Sequence, residues 1–222
     1  TKKDLMATFW RSFTMEWAWN YERQSNLGYS YAMTPALKKI YQNREDKLKN
    51  SFKRHLEFFN VTPWLSTFPL GISIAMEEQN ALNDDFDEDS INNIKIALMG
   101  PLSGIGDSFF WGTLRVIATG IGTSLAFQGN ILGPLLFLLI FNIPAIIARY
   151  YGLFFGYNIG ASFFYRVQKT GLIDKLTYGA SVLGLGVVGA MVATMVTLKM
   201  PMKIGTGADA TSVQKIFDGI VP

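Results

Sequence analysis

The segment IKIALMGPLSGIGDSFFWGTLRVI, residues 94–117, decides how this 222-residue chain folds. Most of it is apolar, yet Gly100-Pro101 and Gly106 interrupt it, and the carboxylate of Asp107 follows directly. Glycine and proline so placed predict a break in the helix. A carboxylate among apolar residues needs a cavity, a partner charge or a polar ligand. The segment therefore predicts a broken helix of the kind that binds polar solutes within a membrane.

Long uncharged runs follow this segment. Between Arg115 and Arg149 there are 33 consecutive uncharged residues, and between Lys175 and Lys199 there are 23. A helix needs about 20 apolar residues to cross a bilayer. The charged fraction is 17%, below the roughly 25% that is usual in soluble domains. We therefore expect an all-α integral membrane protein.

The first 60 residues are more polar. Aromatic residues recur there at four-residue spacing, at Phe9, Phe13, Trp17 and Tyr21. This spacing predicts an amphipathic helix at the lipid headgroups, with ordinary helix packing as the alternative. A second amphipathic helix, rich in Lys and Arg, is predicted over 36–59, with its N-terminus at Thr34-Pro35.

The charge pattern predicts how the chain is divided. Residues 58–76 are uncharged and contain prolines, which predicts a broken or re-entrant element. We expect interfacial or cytoplasmic helices over 1–60, a membrane-embedded region over 61–198, and a polar, extracellular segment over 199–222.

Lys and Arg in the connections predict the orientation. Residues 1–57 carry eleven basic side chains, whereas the connection 127–130 carries none. Because basic loops stay in the cytoplasm, we expect a multi-pass protein whose N-terminus and connection 166–175 are cytoplasmic, with 127–130 outside.

The composition excludes several kinds of site. The chain has no Cys, so thiolate sites and disulfides are excluded, and its one histidine, His55, cannot form a histidine pair. No metal or cofactor is predicted. The net charge of +3 is too small to indicate nucleic acid. His55 itself is expected to be a surface or helix-packing residue.

Four ionisable residues beside or within the apolar runs are candidates for a site: Asp107, Glu77, Glu78 and Arg115. The structural alternative is an internal pair between Asp107 and either Arg115 or Arg149. Gly152, Gly156 and Gly160 repeat the G-x-x-x-G spacing, which predicts that a neighbouring helix approaches closely.

The sequence resembles the IID membrane component of the mannose-type (mannose/fructose/sorbose) sugar phosphotransferase system. The stretches that carry the resemblance are RHLEFFNVTPWL (54–65), GISIAMEEQ (71–79), IKIALMGPLSGIGDSFFWGTLRVI (94–117), GPLLFLLIFNI (133–143), RYYGLFFGYNIG (149–160) and KLTYGASVLGLGVVGAMVAT (175–194). The sequence departs from the family at Ser108, where many relatives have proline. Family members also continue into at least one more apolar segment, so the resemblance implies that residues 199–222 lead to a further apolar helix that this sequence lacks.

The resemblance implies a non-enzymatic subunit, without cofactor, in the bacterial cytoplasmic membrane. Such a chain joins a IIC membrane subunit to form an elevator-type transporter, assembled as trimers of IIC–IID pairs. Soluble IIA and IIB subunits carry the phosphoryl group, and a mannose- or glucose-type hexose is phosphorylated on entry. Some members also serve as bacteriocin receptors.

A hexose site needs hydrogen-bonding groups beside a flat apolar face. The residue types and positions that fit are Asp107, Ser108, Glu77, Glu78, Trp111, Asn142 and Gly106. Two other functions remain open: a non-catalytic scaffold that organises a partner, and an intramembrane enzyme using Asp107 with a glutamate. The broken, Asp-bearing segment argues against a pure scaffold, and the lack of a recognisable nucleophile argues against an enzyme.

Overall fold

The computed structural model describes residues 1–170 together with residues 178, 182, 186, 189, 203–204 and 211–212. Its helices are α1 (Lys2–Arg11), a 3₁₀ turn (Ser12–Thr14), α2 (Asn26–Ile40), α3 (Glu45–His55), α4 (Thr67–Leu82), α5 (Asp89–Gly106), a π-helix (Asp107–Leu114), α6 (Arg115–Phe127) and α7 (Leu132–Thr170). The prediction of a mostly helical chain is confirmed. The exception is a short antiparallel pair, β1 (Lys203–Ile204) with β2 (Thr211–Ser212).

The chain divides into two compact units, Thr1–Val188 and Gly189–Pro222, and the short β-pair belongs to the second. Among the described residues, Leu132–Ala161 of α7 is long and apolar enough to cross a membrane, and little of it is buried within the chain. α7 continues to Thr170, so the predicted connection begins later than residue 166. The predicted apolar segment 176–198 and the tail 199–222 lie mostly outside the described residues.

The helix break predicted near Asp107 is wrong. The backbone stays helical from Asp89 to Phe127, with Pro101 inside α5. The helix is irregular only after this point, where residues Asp107–Leu114 form a π-helix. The hydroxyl of Thr113 donates to the carbonyl of Ser108, five residues earlier, at 3.1 Å. π-helical turns are rare in proteins overall, and many of those that occur lie at functional sites.

The predicted N-terminal helices also need correction. The aromatic residues do not share one helix, because α1 ends at Arg11; Phe9 is buried in the core, whereas Trp17 and Tyr21 are exposed. The segment predicted as one helix over 36–59 is divided between α2 and α3.

Helix α2 begins earlier than predicted, and Pro35 lies inside it. Proline removes the hydrogen bond to the carbonyl four residues before it, which here belongs to Tyr31. The guanidinium of Arg11 lies 3.4 Å from that carbonyl oxygen and 4.6 Å from the ring centre of Tyr31. A partner from another helix thus compensates for the proline.

The element predicted to be broken over 58–76 is a loop followed by one continuous helix, α4, which begins at Thr67 and contains Pro69 in its first turn. A first-turn proline leaves a helix intact, because the amide hydrogen it lacks would have no partner within the helix.

The predicted close approach at Gly152, Gly156 and Gly160 is confirmed. All three face α4, and a Cβ atom at Gly156 would collide with the carbonyl oxygen of Phe68. Gly71 of α4 faces α7 in return, and a Cβ there would collide with the carbonyl oxygen of Leu153. The hydroxyl of Thr67 donates to the carbonyl of Arg149 at 2.7 Å. The two backbones therefore touch directly.

A buried polar network joins α2, α3, α4 and α5. At its centre Glu77, fully buried, accepts hydrogen bonds from Arg54 Nε at 2.9 Å, from His55 Nε2 at 2.7 Å and from the hydroxyl of Tyr41. Arg54 also donates to Glu88, just before α5, at 2.8 Å. Lys95 of α5 donates to the carbonyl of Arg54 at 2.8 Å. Four helices are thus joined by one buried network, in which α5 is linked to Glu77 through Arg54.

His55 enters this network as a neutral imidazole. Burial lowers the pKa of His55, and this effect outweighs the hydrogen bond and charge of Glu77, which favour protonation. The geometry agrees, because Nδ1 is buried and has no hydrogen-bond partner among the described residues. A proton on Nδ1 would therefore be left unsatisfied.

Replacement of Gly156 by alanine should lower the free energy of unfolding by about 1–3 kcal/mol, because the added methyl group must push two backbones apart. The measurement is thermal unfolding of the purified protein in detergent. Gly120→Ala is the matched control. A Cβ at Gly120 meets open space, so this change should leave stability unchanged or raise it by about 0.5–1 kcal/mol. Equal effects of the two substitutions would contradict the close packing.

Stability should also depend on pH through His55. The folded state lowers the pKa of this group below its ordinary value of 6.5, so the unfolded state binds the proton more readily. The stabilising contribution is complete above about pH 6.5 and is lost as the pH falls, by at most about 1.4 kcal/mol per pH unit for one proton. Denaturant unfolding between pH 7.5 and 5.5 measures this slope. His55→Gln, which keeps a donor for Glu77, should flatten the slope, and an unchanged slope would contradict the assignment.

Candidate functional site

Asp107 lies beside a buried hydroxyl group. It is the first residue of the π-helix, half-buried, and its Oδ1 accepts a hydrogen bond from Thr62 Oγ1 at 2.7 Å. The same hydroxyl is 3.2 Å from the carbonyl oxygen of Ser103. Thr62 is only 4% exposed and belongs to the loop between α3 and α4. The loop between α3 and α4 therefore orients the carboxylate of Asp107 through the hydroxyl of Thr62.

Gly106 makes this contact possible. A Cβ atom at Gly106 would lie 2.5 Å from both Cβ and Oγ1 of Thr62. Any larger residue would displace the threonine and with it the hydrogen bond to Asp107. Gly106 therefore acts through its lack of a side chain.

An aromatic group lies next to this pair in the chain. Trp64, two residues after Thr62, packs against Phe110 and Trp111 of the π-helix and against Phe141 of α7, with ring centres 4.8, 5.1 and 5.1 Å apart. Phe110 is buried, whereas Trp111 is 43% exposed. The π-helix thus buries one ring and leaves the next partly exposed, with the guanidinium of Arg115 4.6 Å from the ring centre of Trp111.

The other two predicted polar groups lie on the same elements. Asn142 follows Phe141 and is exposed; its Nδ2 donates to the carbonyl of Leu138 at 2.8 Å. Ser108 follows Asp107, and its hydroxyl donates to the carbonyl of Gly104 at 2.8 Å. The structure thus brings Gly106 and Asp107 against Thr62, and Trp111 against Trp64. The hydrogen bonds given above for Ser108 and Asn142 go to carbonyls of their own helices, so neither is assigned a contact with the other predicted residues.

The two glutamates lie elsewhere. Both oxygens of Glu77 are engaged in the buried network described above. Glu78 accepts a hydrogen bond from the hydroxyl of Tyr157. It borders a cavity of about 320 Å³ that is lined by residues of α1, α2 and α4. Neither contacts Asp107 in the part of the chain that the structure describes.

The alternative of an internal ion pair at Asp107 is not observed. Arg149 donates instead to the carbonyl of Ser12 at 2.6 Å. The guanidinium carbon of Arg115 lies 4.6 Å from the ring centre of Trp111. Over residues 1–161, Asp107 forms no salt bridge. The hydrogen bond described for its carboxylate is the one from Thr62 to Oδ1.

Sequence reasoning missed Thr62 and Trp64. Both flank Pro63 in the stretch VTPWL, which was interpreted as part of a broken element and as a carrier of the family resemblance, with no role given to either residue. A hydroxyl and an indole on either side of a proline, in an otherwise apolar loop, are the signal that could have identified them. Their approach to Asp107 spans 45 residues of sequence and could not be deduced from spacing.

The arrangement suits a polyhydroxylated ligand. A carboxylate accepts hydrogen bonds from hydroxyl groups, and the hydroxyl of Thr62, which already donates to Asp107, orients that carboxylate. Aromatic rings bury the apolar face of such a ligand at a small entropic cost. Among the described residues no group of three or more potential metal ligands occurs.

Comparisons with known proteins agree over the full chain. The family described as "PTS system mannose/fructose/sorbose family IID component" matches residues 1–222. The PTS system mannose-specific EIID component of Escherichia coli (strain K12) is 40% identical over 100% of this chain and 80% of its own length. The fructose permease IID component of Bacillus subtilis (strain 168) is 41% identical over 100% of this chain and 82% of its own length.

A solved structure is similar as well. The cryo-EM structure of the mannose transporter ManYZ in complex with microcin E492 contains a chain that is 39% identical to this one, with a TM-score of 0.84 over 100% of this chain and 83% of that one. The protein therefore belongs to the mannose/fructose/sorbose family of the sugar phosphotransferase system, as a IID component, and is a membrane protein.

Proposed function

We propose that this chain is the IID permease subunit that forms, with a IIC subunit, the membrane path for mannose- or glucose-type hexoses, which are phosphorylated on entry. The observation that carries the proposal is the contact between Asp107 and the buried hydroxyl of Thr62, next to Trp64 and Trp111. A hexose would place its hydroxyl groups on the carboxylate and its flat face on an indole.

The choice of sugar rests on the similar proteins. The Escherichia coli relative is mannose-specific and the solved structure is that of a mannose transporter, whereas the Bacillus subtilis relative is a fructose permease. The two relatives are almost equally identical to this chain in sequence, so sequence identity does not choose between the two sugars. The likeness to the solved structure of a mannose transporter supports the proposal for mannose. Competition between labelled mannose and unlabelled fructose for uptake distinguishes the two.

The chain itself should not carry the phosphoryl group. His55, its one histidine, is fully buried and donates to Glu77, so a soluble phosphocarrier cannot reach it. Phosphoryl transfer needs an accessible carrier and a positioned acceptor hydroxyl. We assign the carrier role to the soluble IIA and IIB subunits and the positioning of the sugar to the membrane subunits.

The arrangement in the membrane follows from the same proposal. Residues 1–60 form cytoplasmic or interfacial helices, 61–198 the embedded region, and 199–222 an external segment. The exposed Trp10, Trp17 and Trp19 suit lipid headgroups. The multi-pass assembly works as a trimer of IIC–IID pairs with elevator-type motion.

A second role, as a receptor for bacteriocins, is favoured by one observation: the similar mannose transporter was solved in complex with microcin E492. Expression of this chain with its IIC partner in a resistant strain lacking its own mannose permease should restore sensitivity to such a peptide. Continued resistance with normal sugar uptake would remove the receptor role alone.

The permease proposal predicts that sugar uptake requires the chain. Vesicles that contain the IIC, IIA and IIB subunits should take up and phosphorylate labelled mannose, driven by phosphoenolpyruvate, only when this chain is also supplied. Equal uptake without the chain would favour the scaffold alternative.

Asp107→Asn should reduce that uptake at least tenfold, because the neutral amide presents hydrogen-bond donors where the sugar hydroxyls need an acceptor. Assembly with the IIC subunit should be unchanged, since Asp107 forms no ion pair within the described residues. Asp85→Asn, in the exposed acidic loop, is the matched control and should leave uptake normal. Normal uptake by the Asp107 variant would remove this residue from the site.

A further inference from the structure

The loop between α3 and α4, residues 56–66, is held near its beginning as well as at its ends. Hydrogen bonds join Leu56 and Phe59, in the first part of this loop, to residues 23–26, which include the start of α2. We call residues 23–26 the clamp. The proposed sugar site lies further along the same loop, at Thr62, so the N-terminal region contacts the segment that leads directly to the site.

Phe59 is paired with the clamp through its backbone. Its amide donates to the carbonyl of Arg23 at 3.3 Å, and its carbonyl accepts from the amide of Ser25 at 2.9 Å. Between these two residues, Gln24 has a φ of 57°, in the left-handed region that residues other than glycine seldom adopt. Such a backbone persists only where the surrounding contacts hold it, and it is most frequent at functional sites.

Asn26 completes the clamp with its side chain. It is only 4% exposed, and its Nδ2 donates to the carbonyl of Leu56 at 2.6 Å. Its Oδ1 accepts a hydrogen bond from Nδ2 of Asn20 at 3.0 Å, which fixes the orientation of the amide. The other group described at the Leu56 carbonyl is Nη1 of Arg23, at 3.4 Å. The short hydrogen bond from Asn26 is therefore the stronger of the two that hold this carbonyl.

The side chain of Phe59 packs in the core, close in sequence to the sugar site. It is fully buried, and its ring centre lies 4.1 Å from that of Tyr29 in α2. The hydroxyl of Tyr29 lies 2.7 Å from the hydroxyl of Ser73 in α4. Thr62 follows Phe59 by three residues, so a displacement of Phe59 would be passed on through only two others. The hydroxyl of Thr62 would then lose its place 2.7 Å from Asp107.

We propose that Asn26 is a positioning residue for the sugar site: by holding Leu56 and Phe59, it keeps the hydroxyl of Thr62 against the carboxylate of Asp107. The inference rests on the proposed function and adds to it a role for the N-terminal region in sugar binding. A residue that only stabilised the fold would change the amount of folded complex, whereas a positioning residue changes the affinity of each complex for sugar.

The test is uptake of labelled mannose, over a range of concentrations, by vesicles that contain all the subunits. Asn26→Asp keeps the shape of the side chain but presents an acceptor to the Leu56 carbonyl in place of a donor. It should raise the half-saturating mannose concentration about tenfold and change the maximal rate per complex little, because a group that binds sugar is misplaced.

The control is Leu37→Ala, a fully buried position of α2 eleven residues after Asn26. This change should lower the yield of folded complex, because it leaves a cavity in the core. It should not alter the half-saturating concentration. An equal rise in both variants would overturn the inference, since affinity would then follow stability alone.

Two further comparisons separate positioning from stability. In a Thr62→Val background, which lacks the hydroxyl, Asn26→Asp should raise the half-saturating concentration less than about twofold, because its effect passes through that hydroxyl. Gln24→Val should act like Asn26→Asp, since a β-branched residue resists positive φ, whereas Gln24→Gly should leave uptake normal. An unchanged half-saturating concentration in Asn26→Asp, or independent effects in the double variant, would overturn the inference.

Hydrogen exchange of the full-length chain in the purified complex tests the clamp without sugar. The amides of residues 56–62 should exchange about tenfold faster in Asn26→Asp than in the wild type, because the clamp no longer holds the loop. Unchanged exchange would overturn the inference even if the wild-type complex took up no sugar. Absent uptake by the wild-type complex would contradict the permease proposal, so the two failures are distinguishable.

Discussion

Glu77 accepts hydrogen bonds from α3 and from the end of α2, and the partners of Glu77 extend the network to α5. A carboxylate buried in this way is stable only if its partners remain in place, because loss of one leaves a buried charge uncompensated. The loop that carries Thr62 and Trp64 leaves α3 directly after His55 and enters α4 at Thr67. Both ends of the loop are therefore fixed by the network, and Lys95 fixes α5, which leads to Asp107.

Direct backbone contact between α4 and α7 adds a second constraint. Gly71 and Gly156 bring the two helices so close that no side chain fits between them. This contact fixes α7 relative to the loop that begins α4, and so places Phe141 against Trp64. The proposed sugar site thus lies where a loop, a π-helix and α7 meet, each held by packing at some distance from the site. Such support is what a precise binding site requires.

Much of the fold could be predicted from sequence because its signals are local. The long uncharged run preceding Arg149 indicated α7, and the repeated glycines indicated its close packing. The errors arose where tertiary contacts override local preference. Pro35 was interpreted as a helix start, but Arg11 compensates for the hydrogen bond that the proline removes. Gly100-Pro101 was interpreted as a break, but Pro101 lies inside the continuous helix α5, and the irregular part of the helix begins only at Asp107, as a π-helix. Asp107 and Trp111 were proposed as site residues from their chemistry, whereas Thr62 and Trp64 could be proposed only from a three-dimensional contact.

The central claim is that sugar lies against Asp107 and the two tryptophans, and photoaffinity labelling tests it most directly. A photoreactive mannose derivative, activated on the assembled complex in membranes, should label peptides that contain Trp64 or Trp111, and excess mannose should prevent the labelling. Asp107→Asn should reduce this labelling in parallel with uptake. Labelling confined to the partner subunit, with this chain unmodified, would contradict the account and leave the protein a scaffold for a site that lies wholly elsewhere.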